Sequence, residues 1–158
     1  MRTTIWVLLL LGSWGPGTGS AQGQTPKSSA QERQEMLSYQ LTLPRANHLI
    51  AAMDAMTKYL ASLPDFQDRV LKSTHMTRAE QRAQLEQDPK AMAILKQNGL
   101  TAQEYLVVVP TLRMALMAAQ RLAKEPAITA SPANVAFAKA NLAELKPKMD
   151  AADGIVRK

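Results

Sequence analysis

The sequence predicts an all-α protein, a single compact bundle of about four to six helices with one Pro-kinked long helix. Three observations predict it. Apolar residues recur at three- and four-residue spacing along most of the chain, as in Leu43, Ala46, Ile50, Met53, Thr57 and Leu60. Helix-start signals are frequent: Thr77-Arg78-Ala79-Glu80, Asp88-Pro89, Thr101-Ala102-Gln103-Glu104 and Ser131-Pro132. No block rich in β-branched or aromatic residues alternates with period two, and aromatic residues make up only 4% of the 158 residues.

Residues 1–21 read as a cleaved signal peptide. Arg2 supplies the positive start, and the apolar run Ile5 to Leu11 is too short for the ~20 residues a membrane-spanning helix needs. Small and helix-breaking residues follow, with Gly19 and Ala21 meeting the peptidase requirement, so cleavage is expected after Ala21 and Gln22 begins the mature chain. No later apolar stretch is long enough to cross a membrane, and no stable membrane span is expected. The expected location is the periplasm, or the exterior, by general secretion. Without cysteine there is no lipid-modified N-terminus, no thiol nucleophile and no thiolate metal site.

Residues 22–41 read as a flexible or extended leader. Its first part is Gln-, Ser-, Lys- and Pro-rich, and the alternation from Tyr39 to Leu43 suggests an extended stretch packed on helices. The helical domain is expected over residues 42–147. Thr42 caps its first helix, Pro44 fits the first turn, and Pro64 ends it. A short helix through Phe66, Val70 and Leu71 follows, then a polar one from Thr77 to about Gln87. Asp88-Pro89 opens another, with Met92 and Leu95 inward and Gly99 as its C-terminal cap. Thr101 and Glu104 then form a capping box, Leu100 and Tyr105 a hydrophobic staple, and the long helix runs from Ala102 to about Ala123 with a kink at Pro110. Val135, Ala138, Leu142 and Leu145 mark a last helix that Pro147 stops, leaving residues 148–158 as a frayed tail.

Function classes are excluded more readily than assigned. A serine hydrolase needs a presented nucleophile and a base, yet there is no Gly-x-Ser-x-Gly and the two histidines are His48 and His75. Neither a Gly-x-Gly-x-x-Gly nor a Gly-x-x-x-x-Gly-Lys-Ser/Thr phosphate cradle occurs. Asp65 with Asp68, and Glu80 with Glu86, are carboxylate pairs better read as solvated faces than as a glycosidase pair. No catalytic residue and no cofactor is therefore expected. The net charge is +6, but its cations are scattered without stacking aromatics, so nucleic acid is not the expected partner.

The expectation that remains is a noncatalytic exported protein that binds an unidentified protein or envelope component, with Tyr105, Leu112 and Met117 lining a groove beside the Pro110 kink. One alternative is copper held by thioethers and imidazole, drawing on Met53, Met56, Met114, Met117 and a histidine such as His75 beside Met76. The plain reading of those methionines is core filling.

Two resemblances add to this. The stretch from Asp88 to Leu106, with Met114 to Ala119 and Pro132-Ala133-Asn134, resembles a family of small exported all-helical bacterial proteins of unknown function. That likeness implies a fold and an address but no activity. Met76-Thr77-Arg78-Ala79-Glu80-Gln81-Arg82 and Leu100-Thr101-Ala102-Gln103-Glu104 are similar to the Leu-Thr-x-x-Gln turns of the periplasmic Spy/CpxP chaperone family. Glu80 and Glu104 stand where that family has glutamine. This second likeness implies an all-helical chaperone as a further alternative.

Overall fold

Local side-chain capping accounts for half of the helix starts in the computed structural model, which describes residues 26–120 and 130–154. All the secondary structure among these residues is helical: α1 (Pro26–Ser38), α2 (Leu43–Ala61), α3 (Phe66–Ser73), α4 (Arg78–Gln87), α5 (Pro89–Gln97), α6 (Ala102–Gln120), α7 (Pro132–Ala140) and α8 (Leu142–Ala152). The all-α expectation holds, while the eight helices exceed the four to six expected. The expected signal peptide lies outside the described residues.

The cap signals act largely as their chemistry dictates. Thr77 accepts from the Glu80 amide at 3.3 Å, and the Glu80 carboxylate accepts from the Thr77 amide at 2.7 Å, closing the box at the start of α4. Asp88 ends α4 and begins α5, its carboxylate accepting from the Lys90 and Ala91 amides at 3.0 Å each. Gly99 adopts φ +66°, where glycine has no Cβ penalty. The amides of Gly99 and Leu100 then return to the Lys96 and Leu95 carbonyls, a Schellman ending that also brings Leu100 onto Leu95. Thr42 occupies the N-cap of α2, but its side chain makes no cap bond.

α6 is the central helix. Leu106 to Val109, Thr111, Leu112, Ala115, Leu116 and Ala119 are buried along it, and it packs on α7 and α1 and touches α2, α4 and α5. Leu49, Leu95, Val108, Val109, Leu112 and Leu145 form the fully buried centre. Pro110 lies inside α6 and removes the amide that would bond the Leu106 carbonyl. One residue on, the Thr111 hydroxyl donates to the Val107 carbonyl at 2.7 Å, which satisfies a buried polar side chain within the helix. The expected continuation of this helix to Ala123 lies outside the described residues.

Three boundaries differ from expectation, two of them through tertiary contact. Residues 26–38 form α1 where a flexible leader is expected, because Met36 is buried and Glu32 and Glu35 reach Arg78 and Gln103. The expected last helix is two helices, separated at Asn141, which leaves the helical conformation at φ −114° and ψ 13° while its backbone and side-chain amides both donate to the Phe137 carbonyl, at 3.1 and 2.8 Å. Pro147 does not stop α8, which continues to Ala152. Proline costs that helix one backbone bond, whereas Met149 and Ala152 are buried against the core, the Thr57 hydroxyl donates to the Ala152 carbonyl at 3.0 Å, and Arg113 pairs with Asp153. The tail expected from residue 148 therefore begins only after this anchored turn.

The extended stretch expected around Tyr39 to Leu43 is found at residues 39–42, and Asn134 supplies the pairing that a lone strand lacks. Its carbonyl oxygen accepts from the Leu41 amide at 3.0 Å, and its amide donates to the Tyr39 carbonyl at 2.7 Å. Asn134 is only 2% exposed, so one side chain satisfies a segment that no second strand reaches. Beside it, Glu104 turns away from the expected capping box. The Thr101 hydroxyl still accepts from the Glu104 amide at 3.1 Å, but the carboxylate accepts from the Tyr39 hydroxyl at 3.0 Å and from Arg45 Nε at 2.6 Å. Burial pulls the Glu104 carboxyl upward, and the bonds from Arg45 and Tyr39 outweigh it and hold the group below the usual carboxylate range.

Candidate functional site: a groove along α4

A single residue, Asp88, joins α4 to α5, so the two helices diverge from a tight corner and leave a trough between them. The Gly99 turn brings the start of α6 across its end. The result is a solvent-open groove of about 860 Å³ with a mainly apolar lining. Pro89, Met92, Ala93, Leu100 and Ala102 form its floor, while Arg82, Glu86, Lys96 and Gln103 stand at its rim. Leu100 and Ala102 belong to the core cluster and Met92 packs against it, so the floor is continuous with the rigid interior. Methionine adds an adaptable, polarisable surface there.

A second concavity of about 420 Å³ lies between α1 and α4 and shares Arg82, Glu86 and Gln103 with the first. Glu32 stands 4.0 Å from Arg78 Nε, Arg78 Nη2 approaches the Met36 sulfur at 3.5 Å, and Gln103 donates to Glu35 at 3.3 Å. Arg78 Nη1 is buried without a hydrogen-bond partner. Along the outer side of α4, Arg82 Nε donates to Glu86 at 2.7 Å.

The residues expected to line a groove are not brought to this one. Leu112 is fully buried in the core, and Tyr105 and Met117 are half-buried on α6, away from both concavities. Burial pushes the Tyr105 phenol up to about 12, against the opposing charge of Arg113, so it stays neutral and acts as packing. The reason is positional: the middle of α6 is covered by other helices around Pro110, and its exposed approach is at its N-terminal end. The polar helix 78–87 and Met92-Ala93 supply the walls of the groove, but no local sequence pattern marks it; the angle between α4 and α5 creates it.

The copper set does not assemble either. Met53 and Met56 are each 3% exposed within the core, Met114 and Met117 are half-buried on α6, and His48 and His75 are both exposed. Among the described residues, no group of three or more His, Asp or Glu side chains is placed to hold a metal ion. The carboxylate pairs considered for hydrolysis are engaged elsewhere: Asp65 bonds Arg69 at 2.9 Å, Glu80 closes its cap and Glu86 bonds Arg82. Hydrogen bonds from the Thr77 backbone and hydroxyl hold the Glu80 carboxyl low, which suits a capping anion rather than a proton donor.

Among the described residues no helix is long and apolar enough to cross a membrane. No family model matches the chain, no curated protein matches it, and no solved structure matches its fold.

Proposed function

We propose that this chain is an exported, noncatalytic binding protein that docks a segment of a partner polypeptide in the groove between α4, α5 and the start of α6. The observation that carries the reading is the open apolar floor of Met92, Ala93, Leu100 and Ala102, set in an otherwise well-packed bundle and rimmed by charge. A concave apolar surface with a polar border is the usual form of a site that recognises an apolar segment. The signal-peptide pattern of residues 1–21 supports export, and a periplasmic location follows from it in a host with two membranes.

Photo-cross-linking in the host envelope tests this. A photoreactive side chain at Ala93 or at Lys96, both exposed, should yield the same discrete polypeptide adduct, and one at Gln67 on α3 or Lys139 on α7 should not. Fractionation of the same cells should find the chain outside the cytoplasm, beginning near Gln22. Equal adducts at all four positions, or a cytoplasmic chain that retains Met1, would refute the reading.

A further inference from the structure

Helix α3 has no buried side chain and makes no extended packing contact with another helix. Its half-buried face, Phe66, Arg69, Val70 and Ser73, is fixed to its surroundings by polar contacts. Gln81 donates to the Ser73 carbonyl at 3.1 Å, and Arg69 is bonded to Asp65 at 2.9 Å and lies 3.9 Å from Asp88. The opposite face is Gln67, Asp68, Leu71 and Lys72, all exposed and contiguous at three- and four-residue spacing. Leu71 at its centre is 64% exposed, the one large apolar side chain so placed among the described residues.

The charges on this face are also unspent. At five other places among the described residues an acid and a base four apart along a helix are bonded to each other, as in Asp54 with Lys58 and Glu144 with Lys148. Asp68 and Lys72 have the same spacing, yet neither has an ion-pair or hydrogen-bond partner among the described residues. They flank Leu71 on the same side of the helix, Asp68 toward its start and Lys72 toward its end. Such a face is complementary to itself. Turned by a two-fold axis and laid antiparallel on its copy, it stacks leucine on leucine and sets each acid level with the other copy's base. With one acid and one base the face has no net charge, which favours neither an anionic lipid surface nor a strongly charged polymer.

We propose that α3 is a self-association surface, on which a second copy of this chain pairs its own α3 antiparallel about a two-fold axis, Leu71 against Leu71 and Asp68 against Lys72 in both directions. Eight residues make a helix about 12 Å long, so the contact is small and the dimer weak and concentration-dependent. The surface is separate from the groove between α4 and α5 and stands or falls without it. A photoreactive side chain at Gln67 would capture a second copy of this chain, an adduct distinct from that of the groove.

Sedimentation velocity of the purified protein should show a weight-average mass rising from one chain toward two between about 5 and about 500 µM, and rising less in high salt. Leu71→Asp, at an exposed side chain, should leave a monomer of unchanged thermal stability. Asp68→Lys and Lys72→Asp each set like charges across the axis, and each alone should weaken association at least about tenfold. An equimolar mixture of these two variants should recover it, because each then meets the other with opposite charge at both crossings, and recovery shows that both are folded. A parent that stays monomeric throughout, dimers that survive Leu71→Asp, or charge variants that dissociate and are not restored by mixing would each overturn the proposal. Cosedimentation of a monomeric parent with phosphatidylglycerol vesicles, lost in Leu71→Asp, would give the face to a membrane surface and likewise overturn it.

Discussion

Replacing Asn134 by alanine removes two hydrogen bonds that no other described group can restore. The side chain is 2% exposed and spans the chain from α7 to the extended stretch, accepting from the Leu41 amide at 3.0 Å and donating to the Tyr39 carbonyl at 2.7 Å. Leu41 is itself only 7% exposed, so its amide is left unpaired, while the Tyr39 carbonyl sits where the half-buried Tyr39 limits access of water. A buried group stripped of its partner costs about 1–3 kcal/mol, which gives a loss of about 2–6 kcal/mol for the pair. For a domain of this length, a loss of about 3 kcal/mol corresponds to a fall in Tm of roughly 10 °C. Urea unfolding followed by far-UV circular dichroism measures the change in free energy, and amide exchange locates it. Residues 39–42 and α1 should lose protection first, since the Asn134 clamp holds the hinge by which α1 enters the fold. Asn134→Leu should be no better than alanine, because it adds apolar volume without supplying the donor or the acceptor. A loss under about 0.5 kcal/mol for both variants would refute the claim that this amide substitutes for a paired strand.

Further perturbations follow from the caps and the ion pair. Glu104→Gln should cost about 1–2 kcal/mol at pH 7 by weakening the charge-assisted bonds from Arg45 and Tyr39. Because the folded-state carboxyl is held below its usual range, its contribution is present above the unfolded pKa and lost as pH falls through the folded one. Urea midpoints from pH 7 to pH 3 should therefore decline more steeply in the parent than in the variant. Gly99→Ala should cost about 1 kcal/mol from the left-handed φ of +66°, since a new Cβ would meet Arg45 Nη1 only at an ordinary 3.7 Å; calorimetry of both proteins measures this. Thr77→Ala should cost about 1 kcal/mol by opening the α4 cap, and amide exchange should show the loss in the first turn of α4.

What could be read from the sequence was what neighbouring residues decide among themselves. Thr77 with Glu80, Asp88 with Pro89, and Gly99 before Leu100 each specify a backbone ending through contacts a few residues apart, and their helices begin or end as expected. The misreadings occur where distant residues outvote local ones. Pro147 is a stop signal by local chemistry, yet Met149 and Ala152 lie in the core and carry α8 past it. The segment before Ser38 lacks the apolar content to fold alone, and it becomes α1 through Met36, Glu32 and Glu35 meeting residues of α4 and α6. Asn141 shows the reverse case: an unbroken apolar spacing from Val135 to Leu145 conceals a break at one residue that leaves the helical conformation. The groove was illegible for a related reason. It arises from the angle at which α4 and α5 diverge, which no local pattern encodes, and the proline expected to open a groove lies where α6 is covered on most sides.

The most direct test of the docking site is a residue-resolved map of the purified protein by ¹⁵N-edited NMR during titration with a synthetic helix-forming peptide that carries one leucine face. The account predicts shifts confined to Arg82, Glu86, Met92, Ala93, Lys96 and the turn from Leu100 to Gln103, with α3 and α8 unmoved. Shifts centred on the exposed Leu71 of α3, or on Tyr105 and Met117 with the groove silent, would contradict it and place recognition elsewhere on the bundle.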